Sequence, residues 1–376
     1  MKPTKPPAVT KKKIRSDTAR WEIIMSHDRT SAQPHPVTFR HPRVAPRPDE
    51  PHLHLIENVS FKPIFILGEG RSGTTILYDL LSRTGRFNVV SFYHVARYHE
   101  LLRNHVENRT EQAKQDLSRA LEAAGLVDRK IDKFKITPDT PVEYGRLLGL
   151  AHRKINPRTL PRLLEACRKI QYISDPTKPL LLKNPRDYGA NFPLVLRLFP
   201  DAMVIFNHRN PLETVNSWLK MARNTFEEKN PLSGFFEAKR YERLWGRRFN
   251  LRLSIMRFLF SETWDLGARL SARRVVSRAE YYLDHIDEVS KSRYISIRYE
   301  DLCAEPDRII MDILGFLGLK SERPVDFADL IQFREPELLP SVARRLPQLD
   351  RKLARYCRAL DYPLPSASAA AKYGGA

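Results

Sequence analysis

The apolar run Pro63–Leu67 (PIFIL) leads straight into Gly68-Glu-Gly-Arg-Ser-Gly-Thr-Thr75, and a helical pattern follows at once over Thr74–Arg83, with Leu77, Leu80 and Leu81 on one face and Gly85 as a stop. A short, continuously apolar segment bounded by a glycine turn predicts a buried strand feeding a helix. Such a strand is stable only inside a sheet covered by helices on both faces, so the unit restricts the chain to α/β architectures. A glycine turn at a helix N-terminus also presents free peptide N–H groups and the positive end of the helix dipole. Within the turn of Gly68, Gly70 and Gly73, the hydroxyls of Ser72, Thr74 and Thr75 and the guanidinium of Arg71 add donors. The loop therefore reads as a cradle for an anion.

Four further segments have strand character: Phe87–Tyr93 (FNVVSFY), Pro179–Lys183 (PLLLK), Ala202–Arg209 (AMVIFNHR) and Arg293–Tyr299 (RYISIRY). Two long, mostly helical insertions, 97–172 and 212–290, separate them. The expected fold is a P-loop-like central parallel β-sheet flanked by helices, with these insertions, over residues 51–362. Residues 1–50, rich in Pro and Lys/Arg, read as a flexible basic arm with a short helix around Trp21–Met25, and residues 363–376 as a flexible tail. Cys167, Cys303 and Cys357 are too widely spaced for a disulfide framework or a zinc site.

The loop departs from the nucleoside-triphosphate P-loop in one informative way. The G-x-x-x-x-G spacing is present, but the lysine that follows it is replaced by Thr74. That lysine reaches the β- and γ-phosphates, so its absence suits a shorter phosphate chain. Strand ends carry His94, Lys183 and Arg209 rather than acidic metal ligands, and the site is expected to be cationic and metal-free. A second anion motif begins at His208-Arg209-Asn210-Pro211. Asn210 suits a helix N-cap, Pro211 the first helical position, and Glu213 a capping box with Asn210. Ser217 falls two turns on, facing the helix start, where it can share one phosphate with Arg209. Ligands of parallel sheets bind beyond the carboxyl ends of the strands. The glycine loop, His94, Lys183 and Arg209 all fall at such ends and outline a groove for a ligand with two separated anionic groups.

These residues resemble the sulfotransferases that use 3′-phosphoadenosine 5′-phosphosulfate (PAPS). Arg71-Ser-Gly-Thr-Thr75 is similar to the family's 5′-phosphosulfate loop, and Arg209 through Ser217 to its 3′-phosphate motif. The stretch 180–211 is similar to the Lys-x-Pro segment of bacterial and protein-tyrosine-type members, and Tyr299–Leu302 with Ile309–Leu319 also has the family's look. The resemblance covers about residues 61–320. It implies metal-independent, in-line transfer of a sulfuryl group from PAPS to a hydroxyl or amine. Gly70 through Thr75, Arg209 and Ser217 would hold PAPS, with Arg71 and Lys183 stabilising charge on the leaving group. Family members use a histidine or glutamate base near the end of the strand after the loop helix, which points to His94, with Glu100 and Glu143 as alternatives.

The chain carries 64 Lys+Arg against 44 Asp+Glu, a formal charge of +20. That excess fits nucleic acid, anionic membrane or an anionic small molecule alike. A P-loop small-molecule kinase and a non-catalytic basic nucleic-acid-binding protein are the alternatives, but cations at strand ends suit a bounded pocket, so no nucleic-acid partner is expected. The acceptor stays open among carbohydrate, lipid, peptide and small alcohol, with peripheral membrane contact through the basic arm. Without a signal peptide or an apolar run of about 20 residues, the expected location is cytoplasmic. Leu244, Trp245, Leu251 and Phe258 are expected in the core or the acceptor cavity, Arg243, Arg247, Arg248 and Arg252 on a solvated face, and Glu300–Asp301 as a cap of the following helix.

Overall fold

The structure is a computed structural model that describes residues 23–24, 38–39, 47–123, 126, 136–148, 153–227, 250–320, 327, 331 and 337–373. Five strands form its main sheet: β1 (Pro63–Leu67), β2 (Asn88–Val89), β3 (Leu180–Lys183), β4 (Met203–His208) and β5 (Tyr294–Arg298). Their order is β2-β3-β1-β4-β5, and every neighbouring pair is parallel. β1 is central, with Ile66 opposite both Lys183 and Ile205. The glycine loop, Lys183 and the residues after His208 thus leave the sheet along one edge.

Alternation along the strands divides the core in two. Ile64, Ile66, Leu181, Ile205 and Ile297 pack on one face against α1 (Thr74–Arg83) and the helix Pro306–Phe316. Phe65, Leu67, Leu180, Leu182, Val204 and Phe206 pack on the other, under α4 (Leu266–His285), α5 (Leu346–Ala359) and the helix Leu160–Ile173. The described helices of the insertions are Leu101–Val106, Thr110–Ala123 and Leu160–Ile173 in the first, then α3 (Pro211–Glu227), Asn250–Leu259 and α4 in the second. None of the described helices is long and apolar enough to cross a membrane.

Three expectations are corrected. The second strand is only Asn88–Val89 rather than Phe87–Tyr93, because Ser91 starts a helix, α2 (Phe92–Ala96). The Ser91 hydroxyl accepts from the His94 N–H while His94 Nδ1 accepts from the Ser91 N–H at 3.0 Å, a reciprocal cap that competes with strand extension. His94 therefore sits in a first helical turn, not at a strand end. In the N-terminal arm, Ile23–Ile24 pairs antiparallel with Thr38–Phe39 where a short helix is expected, and most of the arm lies outside the described residues. Finally, the expected tail contains a helix, α6 (Pro365–Tyr373), with Ser368 and Ala369 buried. Its Tyr373 hydroxyl donates to Glu213 Oε1 at 2.8 Å, Lys372 Nζ lies 3.3 Å from the same oxygen, and Asn210 Nδ2 donates to Ser368 at 2.8 Å. Polar partners on α3 hold this helix, a signal that its Ala/Ser composition does not carry.

A chain ending at Leu364 would leave the buried Glu213 carboxylate without those donors. We expect it to lose about 2–4 kcal/mol of stability, read as a lower urea midpoint; an unchanged midpoint would show that α6 is dispensable.

Candidate active site

The loop after β1 is shaped by two left-handed residues and three close approaches. Arg71 has φ +74° and Gly73 has φ +88°. A Cβ on Gly73 would fall 2.1 Å from the Tyr299 ring, one on Gly70 2.5 Å from Trp218, and one on Gly68 2.4 Å from the carbonyl of Asn207. Gly73 begins α1 without a side-chain cap, which leaves the first-turn N–H groups for a ligand. Asn207, at the end of β4, donates from Nδ2 to the Ser72 carbonyl at 2.9 Å and ties the loop to its neighbouring strand.

The second motif meets this loop directly. Arg209 Nη1 donates to the Arg71 carbonyl at 3.0 Å, and Arg71 Nε donates to the Ser217 hydroxyl at 3.1 Å. The Arg209 guanidinium also lies 4.8 Å over the Tyr299 ring and 3.8 Å from Glu213 Oε2. Asn210 caps α3 as expected, its Oδ1 accepting from the Leu212 N–H at 3.0 Å. The other half of the expected capping box does not form. The Asn210 N–H donates to Glu300 Oε1 at 2.9 Å, while Glu213 turns to α6. Glu300 thereby holds the turn after β4, with Tyr362 donating to its other oxygen, instead of capping its own helix; Asp301 pairs with Arg298 at 3.1 Å. Ser72 Oγ and Arg209 Nε are buried and have no hydrogen-bond partner among the described residues. Together with Glu69, Asn207, His208, Thr214 and Arg278 they line a narrow crevice.

Lys183 joins the same rim. Its ammonium donates to Thr75 Oγ1 at 2.8 Å and to Glu143 Oε1 at 3.0 Å. Glu143 arrives there because residues 138–142 are strapped along the chain leaving β2: Phe92 N–H donates to the Thr140 carbonyl, Tyr93 N–H to that of Pro138, and Val142 N–H to that of Val90. Of the expected bases, Glu100 is buried between Arg97 and Arg103, at 2.9 and 3.3 Å. His94 is occupied by its cap, and desolvation, helped by Lys114, pulls its pKa down to about 4.

Several residues of the site escape a motif reading. Glu69, inside the loop, accepts from Arg274 Nε at 2.6 Å and Trp218 Nε1 at 3.0 Å, and lies 3.8 Å from Arg278. Asp187, fully buried after β3, accepts from Tyr144, Asn184, Asn191 and the Ile155 N–H, at 2.6–3.0 Å. The only sequence signal for the first cluster is an acid placed in an anion-binding loop. Among the expected core or cavity residues, Leu251 and Phe258 are 74% and 54% exposed, which removes them from the core. Leu244, Trp245, Arg243, Arg247 and Arg248 lie outside the described residues, as does the side chain of Arg252. Among the described residues, no group of three or more His, Cys, Asp or Glu could hold a metal ion.

A parallel sheet whose carboxyl edge gathers a glycine loop, an arginine–serine pair and a lysine defines an anion-handling α/β protein. The sequence profile of the sulfotransferase family matches residues 63–255, just over half of the chain, so the chain belongs to the sulfotransferase family. Among solved structures it is similar to sulfotransferase STF9 from Mycobacterium avium, at 17% identity over 84% of this chain and 81% of that one, with a TM-score of 0.56. Sulfotransferase STF1 from Mycobacterium tuberculosis H37Rv matches at 18% identity, over 72% and 71% of the two chains, with a TM-score of 0.44. The STF9 likeness supports the fold. No curated protein sequence matches the chain significantly.

The buried His208 and the half-buried His94 make stability depend on pH. Burial lowers His208, whose Nδ1 lies 2.9 Å from the Tyr356 hydroxyl, to a pKa of about 3, and His94 is lowered as above. Both stay neutral in the folded chain at a pH where the unfolded chain takes up protons, so stability is full above about 6.5 and is lost as pH falls towards the folded values. The urea midpoint should drop between about pH 7 and pH 5, and less steeply in His208→Gln; a flat profile would contradict this burial.

Proposed function

We propose that the protein transfers a sulfuryl group from PAPS to a hydroxyl or amine of an acceptor. The observation that carries this reading is the contact of the two anion motifs: Arg209 donates to the Arg71 carbonyl, and Arg71 to Ser217. One continuous cationic rim suits a ligand bearing a phosphate at each end of a nucleoside. The chemistry fits, because Ser72 Oγ and Arg209 Nε are buried donors lacking protein partners among the described residues, and phosphate oxygens accept hydrogen bonds.

PAPS brings the activated sulfuryl group. The protein's part is to hold and neutralise it. Residues Gly70 through Thr75 bind the 5′-phosphosulfate with peptide N–H groups, hydroxyls and Arg71, and Arg209 with Ser217 takes the 3′-phosphate. Lys183, already bonded to Thr75, sits beside the leaving group and offsets charge there, so arginine and lysine supply the positive charge that a metal supplies in kinases. The unit doing this is the domain 51–362, with α6 bracing it from behind. The Glu143 carboxylate, held against Lys183, is the base this geometry favours, since the Nδ1 lone pair of His94 is taken by its cap. The acceptor hydroxyl or amine belongs to a carbohydrate, lipid, peptide or small alcohol. The three cysteines are free, two of them buried, which suits a reducing cytoplasmic setting.

Incubation with labelled PAPS and an acceptor panel of those four classes should give a product heavier by one sulfuryl group. Turnover of ATP with Mg²⁺ and no use of PAPS would favour a kinase. Arg209→Ala and Ser217→Ala should each weaken adenosine 3′,5′-bisphosphate binding about tenfold or more, roughly 1.4 kcal/mol; unchanged calorimetric affinity in both would contradict the assignment. Glu143→Gln should lower kcat about 10²–10⁴-fold with nucleotide affinity nearly intact, and His94→Gln only a few-fold. The reverse ranking would return the base role to His94.

A further inference from the structure

A carboxylate in an anion-binding loop should repel a polyanionic nucleotide unless it is neutralised. Glu69 is neutralised by two arginines. Its residue is 7% exposed. One carboxylate oxygen accepts from Arg274 Nε at 2.6 Å and from the Trp218 indole N–H at 3.0 Å, and the other lies 3.8 Å from Arg278 Nε. The Arg274 guanidinium in turn lies 3.9 Å over the Trp218 ring. Burial pushes the Glu69 carboxyl up while these cations and the indole pull it down.

The segment anchored in this way is the turn that makes the cradle. The Glu69 carbonyl accepts from the Ser72 N–H at 3.0 Å, closing the turn, and Gly70 lies flush against Trp218. The next residue, Arg71, is held at φ +74°. Backbone strain of that kind persists only where surroundings over-determine it. Trp218 directly follows Ser217 on α3, so the carboxylate ties the turn to the helix that carries the hydroxyl of the second motif. Arg274 and Arg278 tie it also to α4, in the second insertion.

We infer that Glu69 is a positioning residue: its anchored carboxylate holds the 69–71 turn in the shape that receives the 5′-phosphate end of the nucleotide. The inference rests on the sulfotransferase reading and extends it to a carboxylate that shapes the turn without donating to the ligand. Loss of the anchor relaxes the turn and costs 5′-phosphate binding, while the 3′-phosphate pair Arg209–Ser217 remains.

The test is calorimetry on the full chain with two ligands, adenosine 3′,5′-bisphosphate and adenosine 3′-monophosphate. Glu69→Ala should weaken the bisphosphate about tenfold or more and the 3′-monophosphate less than about twofold. Arg274→Met, at a partly exposed position, should reproduce the same split if Glu69→Ala fails to fold, and Arg274→Lys should restore most of the lost affinity. Equal weakening of both ligands, or no weakening of either, overturns the positioning role while the parent still binds the bisphosphate. A parent protein that binds neither ligand overturns the sulfotransferase reading, and this inference with it.

Discussion

Two hydrogen bonds hold the functional edge of this molecule together: Arg209 to the carbonyl of Arg71, and Arg71 to the hydroxyl of Ser217. They run between segments separated by more than a hundred residues, and they exist because β1 and β4 are adjacent and parallel, with Leu67 opposite Phe206. In an antiparallel arrangement the glycine loop and the arginine would leave the sheet at opposite ends. Parallel pairing is thus the condition for a shared anion site.

Bringing Arg71, Arg209 and Lys183 together concentrates positive charge, and the fold balances it from behind. Glu213 faces Arg209, Glu143 faces Lys183, and Glu69 faces Arg274 and Arg278. Glu69 lies within the glycine loop and Glu213 within the Arg209–Ser217 segment, but none of the three carboxylates is among the expected phosphate ligands. They let the cations sit in a low-dielectric edge without unfolding it, while the donors left over, Ser72 Oγ and Arg209 Nε, point to an anionic ligand. The same economy explains α6, whose Tyr373 and Lys372 satisfy Glu213 so that its charge does not fully quench Arg209.

The sheet and its loop were legible in the sequence because their signals are local. PIFIL before a glycine turn needs no partner to be read as a strand, and Asn210-Pro211 announces a helix by its own chemistry. What was not legible depends on distant residues. Phe87–Tyr93 has strand composition throughout, yet the Ser91–His94 cap and the 138–142 strap divert the chain after Val89. Glu213 has capping-box spacing, but α6 offers it better donors. Leu251 and Phe258 look like core residues by type and are exposed. The Glu143–Lys183 pair and the Glu69 cluster join segments whose separation no spacing rule encodes.

The central claim is that one rim binds a nucleoside with phosphates at both ends. A crystal structure of the protein with adenosine 3′,5′-bisphosphate tests it most directly. The 5′-phosphate should lie within hydrogen-bonding distance of the Ser72 hydroxyl and the peptide N–H groups of Gly73 through Thr75, and the 3′-phosphate on Arg209 and Ser217. A nucleotide bound away from β1 and β4, or with both phosphates off these residues, would contradict it.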